Sequence, residues 1–196
     1  MLKRLLEAEN CQLFVAENVG LNGNHIPTFN YIIGINISRQ AAIPQLGLPN
    51  FLIINNGNHY RTFFLPWQED SGFYIDLSSS PDIDMPGLFL TSAISGCCIG
   101  VQNLGGIIRV RHYNIQGGRF NIEDFLRYEN VKWLLPENYR GMLPGAQIYR
   151  HDGGFRPAAF WGERNGSKWN FYYQNYGVTI VNEFNYNDHP RLVREV

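Results

Sequence analysis

The chain has 196 residues, 16 of them basic and 17 acidic, for a formal net charge of -1, so it lacks the positive excess that holds proteins to nucleic acid or to anionic membranes. The length suits one domain spanning residues 1–196, and no stretch reaches the roughly 18 to 20 apolar residues of a membrane span. Cys11, Cys97 and Cys98 are too few for a disulfide framework, and a vicinal pair bridges only with strain, which points to a reducing compartment.

Aromatics at 14% of the chain, with Gly and Pro at short intervals, predict many short strands joined by turns. Leu2, Leu5 and Leu6, separated by Lys3 and Arg4, form a short amphipathic helix suited to covering a sheet face. Glu7 and Glu9 cut the apolar run below signal-peptide length, so synthesis in the cytoplasm without a signal peptide is expected. Strands are expected at 12–17, 31–38, 51–55, 60–65 and 73–77, broken by Asn22-Gly23, Pro44, Pro49, Asn56-Gly57 and Pro66.

Residues 80–87 form a loop, and 88–102, apolar or small almost throughout, must be buried. After a turn at 103–106, residues 107–113 alternate as a returning strand that puts Ile108, Val110 and His112 on one face. Asn121 caps a predicted helix running to about Leu135, which Pro136 ends. Residues 158–163 and 168–174 form a hairpin about an Asn165-Gly166 turn, and 178–184 a further strand. The pattern reads as α+β, a central and mostly antiparallel β-sandwich flanked by helices.

The most pointed chemistry lies in Ile94-Ser95-Gly96-Cys97, followed fifteen residues later by the inward-facing His112. A thiol and an imidazole on adjacent strands can serve as nucleophile and base, the thiolate being the reactive form. Gly96 permits close approach of substrate, and the amides around Gly96 and Cys97 can point at a developing oxyanion. Spacing alone favours a packed cysteine, since free thiols rank among the most buried side chains. Cys98, facing the other way along a strand, and Cys11 read as structural.

Leu65-Pro66-Trp67, Asp84-Met85, Thr91-Ser92-Ala93-Ile94-Ser95-Gly96-Cys97 and His112, taken in order, resemble the catalytic half of the Burkholderia lethal factor type of glutamine deamidase toxin. More distantly they are similar to the catalytic domain of cytotoxic necrotizing factors. The shared signature is Leu-Ser-Gly-Cys with a downstream histidine. Ile94 here replaces the leucine, and Pro86-Gly87 reads as a small insertion. The similarity runs from about Asn56 to Asn114, and nothing beyond residue 120 matches. It implies a catalytic Cys97 and His112, with Thr91 at the position of the oxygen that orients the imidazole. Ser95 supports the site by hydrogen bonding or is simply a turn residue.

The resemblance also implies a toxin acting on a glutamine of a host protein, such as a translation-initiation RNA helicase, after delivery to the host cytosol. A monomer is expected, with no nucleic-acid or membrane partner. Trp67 either lines the substrate cleft or joins the core. His25, His59, His151 and His189 lack ligand spacing, and Asp82 and Asp84 have too few companions for calcium, so neither metal nor cofactor is expected. Phe160, Trp161, Trp169, Phe171, Tyr172 and Tyr173 could instead form a carbohydrate-stacking face. A thiol protease, a transglutaminase and a non-catalytic β-sandwich binding module are the alternative functions.

Overall fold

The computed structural model describes residues 1–15, 32–42, 49–66, 72–80, 82, 84–114, 130–139, 158–175 and 177–187. These residues are mostly β and build two sheets. The eight-stranded sheet has the order β1-β3-β2-β4-β6-β10-β11-β12, from β1 (Cys11–Val15), β2 (Ile32–Gln40), β3 (Asn50–Asn56), β4 (Tyr60–Leu65), β6 (Leu88–Thr91), β10 (Ala159–Asn165), β11 (Lys168–Gln174) and β12 (Asn182–Phe184). The four-stranded sheet has the order β5-β8-β7-β9, from β5 (Gly72–Ser78), β7 (Cys98–Asn103), β8 (Ile107–Tyr113) and β9 (Val131–Leu134). Most pairs are antiparallel, while β1–β3 and β4–β6 are parallel.

Alternation along the strands sorts the side chains of the larger sheet into two clusters. Phe63, Leu65, Phe89, Phe160, Trp169 and Phe171 join Ile75, Leu77, Ile99, Val101, Ile108 and Val110 of the smaller sheet in one cluster. Phe64, Leu88, Leu90, Trp161 and Tyr172 face the other way and pack with Leu2 and Leu6. Helix α1 (Leu2–Glu9) therefore covers a face of the larger sheet, as its apolar spacing predicts. Asn10, in the left-handed conformation at φ 49°, ends the helix and turns the chain into β1. The Met1 ammonium pairs with Glu163, which also accepts from the Lys3 amide.

The apolar run 88–102 is buried over most of its length, as expected, and divides between the sheets: β6 belongs to the larger sheet and β7 to the smaller, so the chain passes between sheets over 92–97, where Ile94 bridges Ala158. Three expectations need correction. The predicted helix from Asn121 to Leu135 fails at its end, because Val131–Leu134 is a strand paired with β7. Its earlier part lies outside the described residues. Pro136 opens a helical turn, Pro136–Tyr139, where its missing N–H costs nothing. In the β10–β11 hairpin Asn165 pairs with Lys168, so the loop is Gly166-Ser167 with positive φ at Gly166, the glycine-first arrangement of a type II′ turn. The last strand is shorter than expected, Asn182–Phe184.

The aromatic hairpin forms no open stacking face. Phe160 stacks on Phe171 at 5.7 Å between the sheets, and Trp161 lies 5.6 Å from Tyr172 on the α1 side. Both faces of the hairpin are covered, which removes the carbohydrate-binding reading.

Edge strand β1 is held by a side-chain amide. Gln174 Oε1 accepts from the Leu13 amide at 2.8 Å, and Nε2 donates to the Cys11 carbonyl at 3.1 Å and the Thr179 carbonyl at 2.9 Å. Replacing it by leucine strands buried backbone groups, each worth roughly 1–3 kcal/mol. Gln174→Leu should therefore lower the unfolding free energy by about 2 kcal/mol in urea titration, with the slope unchanged.

Candidate active site

Thr91 ends β6 in the larger sheet and His112 lies in β8 of the smaller one. The space between the sheets brings them together: Thr91 Oγ1 is 2.7 Å from His112 Nδ1 and donates to the Leu65 carbonyl at 2.7 Å. A hydroxyl has one hydrogen, so with that hydrogen on Leu65 the contact is His112 Nδ1–H donating to Thr91 Oγ1. The lone pair is then on Nε2, the tautomer a general base requires.

His112 is 1% exposed. Burial lowers its pKa from 6.5 to about 3, so the ring is neutral at physiological pH. Its Nε2 is buried and makes no hydrogen bond among the described residues. A thiol–imidazole hydrogen bond, expected from the spacing, is therefore not formed in this structure. Such bonds often close only around substrate.

Cys97 shares the face of His112. Ile99 is the Cα partner of His112, and Cys97, two residues before Ile99, belongs with it to the cluster between the sheets. That diagonal arrangement puts side chains within reach across neighbouring strands. Cys97 is 4% exposed, and its carbonyl accepts a 2.8 Å hydrogen bond from the Tyr139 hydroxyl. Cys98 is buried in register with Tyr113, outside that cluster. Cys11 is also buried; burial, then Glu9, pushes its thiol pKa up, which makes it a poor nucleophile.

Gly96 is buried and Ser95 half-buried, both in the passage between the sheets. Trp67 lies outside the described residues, while Leu65 supplies the carbonyl that Thr91 engages. Of the residues singled out from sequence, Thr91 and His112 meet in a hydrogen bond, and Cys97 lies in the cluster that includes Ile99, the strand partner of His112.

Other polar groups serve elsewhere. Arg164 ties the loop before β6 by donating to the carbonyls of Ser80, Asp82 and Met85 at 2.5, 3.0 and 3.0 Å, and Asp82 accepts from the Asp84 amide. His59 is exposed and contacts Asn36 at 2.6 Å; His25, His151 and His189 lie outside the described residues. No cluster of three potential metal ligands occurs among the described residues, and none of their helices is long and apolar enough to cross a membrane. Tyr139 is the site neighbour that sequence reasoning missed; Pro136, three residues before it, was the available signal for a helical turn.

The chain matches no protein-family model and no curated protein. The resemblance to deamidase toxins accordingly rests on the quoted residues from Leu65 to His112.

Proposed function

We propose that the chain is a bacterial toxin that deamidates a specific glutamine of a host protein, with Cys97 as nucleophile, His112 as base and Thr91 as the group that holds the imidazole. The carrying observation is the tether: Nδ1 is engaged by Thr91, Nε2 makes no hydrogen bond among the described residues, and Cys97 belongs to the same cluster as Ile99, the strand partner of His112. In this reading the two sheets are the layers of a β-sandwich with flanking helices.

The neutral imidazole takes the thiol proton as sulfur adds to the carboxamide carbon. The imidazolium gives that proton to the departing ammonia as the carbon–nitrogen bond breaks and a thioester remains. Water, deprotonated by His112, adds to the thioester; glutamate leaves and the thiol is restored. Ser95 and Gly96 border the reacting centre. No metal or cofactor takes part. The target class implied by resemblance is a translation-initiation RNA helicase, met in the host cytosol by a monomeric toxin.

The experiment is incubation with host-cell lysate followed by peptide mass spectrometry. The expected result is the mass gain of amide-to-acid conversion at one glutamine, lost in Cys97→Ser. Amine incorporation at that glutamine would make the chain a transglutaminase, and cleaved peptides a protease. Burial of Cys97 favours a second reading, a non-catalytic β-sandwich binding module in which the thiol is packing; it gives none of these signals.

A further inference from the structure

We propose that Tyr139 is a positioning residue for the Cys97 thiol, acting through the Cys97 carbonyl; the inference rests on reading Cys97 and His112 as nucleophile and base. β7 opens at Cys98, so Cys97 stands one residue outside the ladder that fixes the rest of the strand. Tyr139, 2% exposed, donates its hydroxyl hydrogen to the Cys97 carbonyl at 2.8 Å. The turn that carries Tyr139 is itself fastened. Asn138 Oδ1 accepts from the Leu135 amide at 2.8 Å, and the Asn138 amide donates to the Leu135 carbonyl at 2.9 Å.

Leu135 follows β9, whose Leu134 pairs with Ile99, so the phenol approaches from the strand that flanks the cysteine. With Cys98 onward held in the ladder, turning the peptide after Cys97 would swing its Cα, and with it the thiol, off the face of His112. The Tyr139 hydrogen bond opposes that rotation. Tyr139 acts through the hydrogen bond to the carbonyl.

Positioning and simple packing predict opposite changes in thiol reactivity, because loosening the packing around a buried thiol exposes it. The test is iodoacetamide labelling near neutral pH, read by peptide mass spectrometry, in the parent chain, Tyr139→Phe, His112→Asn and the double variant. Loss of one hydrogen bond that aligns the pair should slow labelling of Cys97 about tenfold in Tyr139→Phe, with Cys11 and Cys98 unchanged. The double variant should be no slower than His112→Asn, because the phenol acts by presenting the thiol to the imidazole.

Labelling of Cys97 as fast as or faster than the parent, or additive slowing in the double variant, overturns the proposal. Asn138→Ala loosens the turn while keeping the phenol and stands in if Tyr139→Phe does not fold by circular dichroism. It should slow Cys97 labelling in the same direction by a smaller factor, and an unchanged or faster rate there overturns the proposal as well. On a deamidated target, Tyr139→Phe should lower kcat about tenfold and leave KM unchanged. A parent chain that deamidates nothing would remove the deamidase reading, while the labelling comparison still decides the role of Tyr139.

Discussion

His112→Asn is expected to lower the rate of the proposed glutamine deamidation by on the order of 10²- to 10⁴-fold, the usual contribution of a positioned acid–base group. Asparagine is the informative replacement because its amide nitrogen falls near the position of Nδ1. It can keep donating to Thr91, whose oxygen lies 2.7 Å from that atom in the parent chain. What it removes is Nε2, the nitrogen that makes no hydrogen bond among the described residues. The loss should fall on kcat, with KM little changed, and lysate peptides read by mass spectrometry supply the rate. Activity within a few fold of the parent would mean that the imidazole is packing and that another base serves the thiol.

Acid should destabilise the fold through the same ring. The folded-state pKa of about 3 lies below the unfolded value of 6.5 because burial penalises the charged form. Between those values the unfolded chain binds a proton that the folded chain refuses, so stability falls as pH falls, by about 1.4 kcal/mol per unit. Above 6.5 both states hold a neutral ring and the effect vanishes. From pH 7.5 to 4.5 the expected loss is about 3 kcal/mol from this group. Carboxylates add their own pH dependence, so the quantity to measure is the difference between the stability profiles of the parent chain and His112→Asn by urea titration. Parallel profiles over that range would show that the ring is hydrated in the folded state.

Much of the fold follows from local pattern. Residues 107–113 alternate cleanly, and their inward set, Ile108, Val110 and His112, takes the side that the alternation assigns. Local pattern fails where a distant partner decides. Val131-Lys132-Trp133-Leu134 fits the end of a helix or a strand, and its pairing with β7 settles the matter. There Gly100 leaves room for the ring of Trp133; a Cβ at that position would lie 2.7 Å from a ring carbon. The site shows the same division. That Cys97 and His112 share a face can be read from alternation across one hairpin. Thr91 belongs to another sheet, so only resemblance singled it out, and Tyr139 reaches Cys97 from 42 positions away, which no periodicity reports.

The stretch from Ser92 to Cys97 joins the layers and also separates the residue that tethers the ring from the residue that carries the sulfur. Closing one layer onto the other and tethering the ring are thus a single event in folding. A newly made chain with only the smaller sheet formed carries an untethered imidazole.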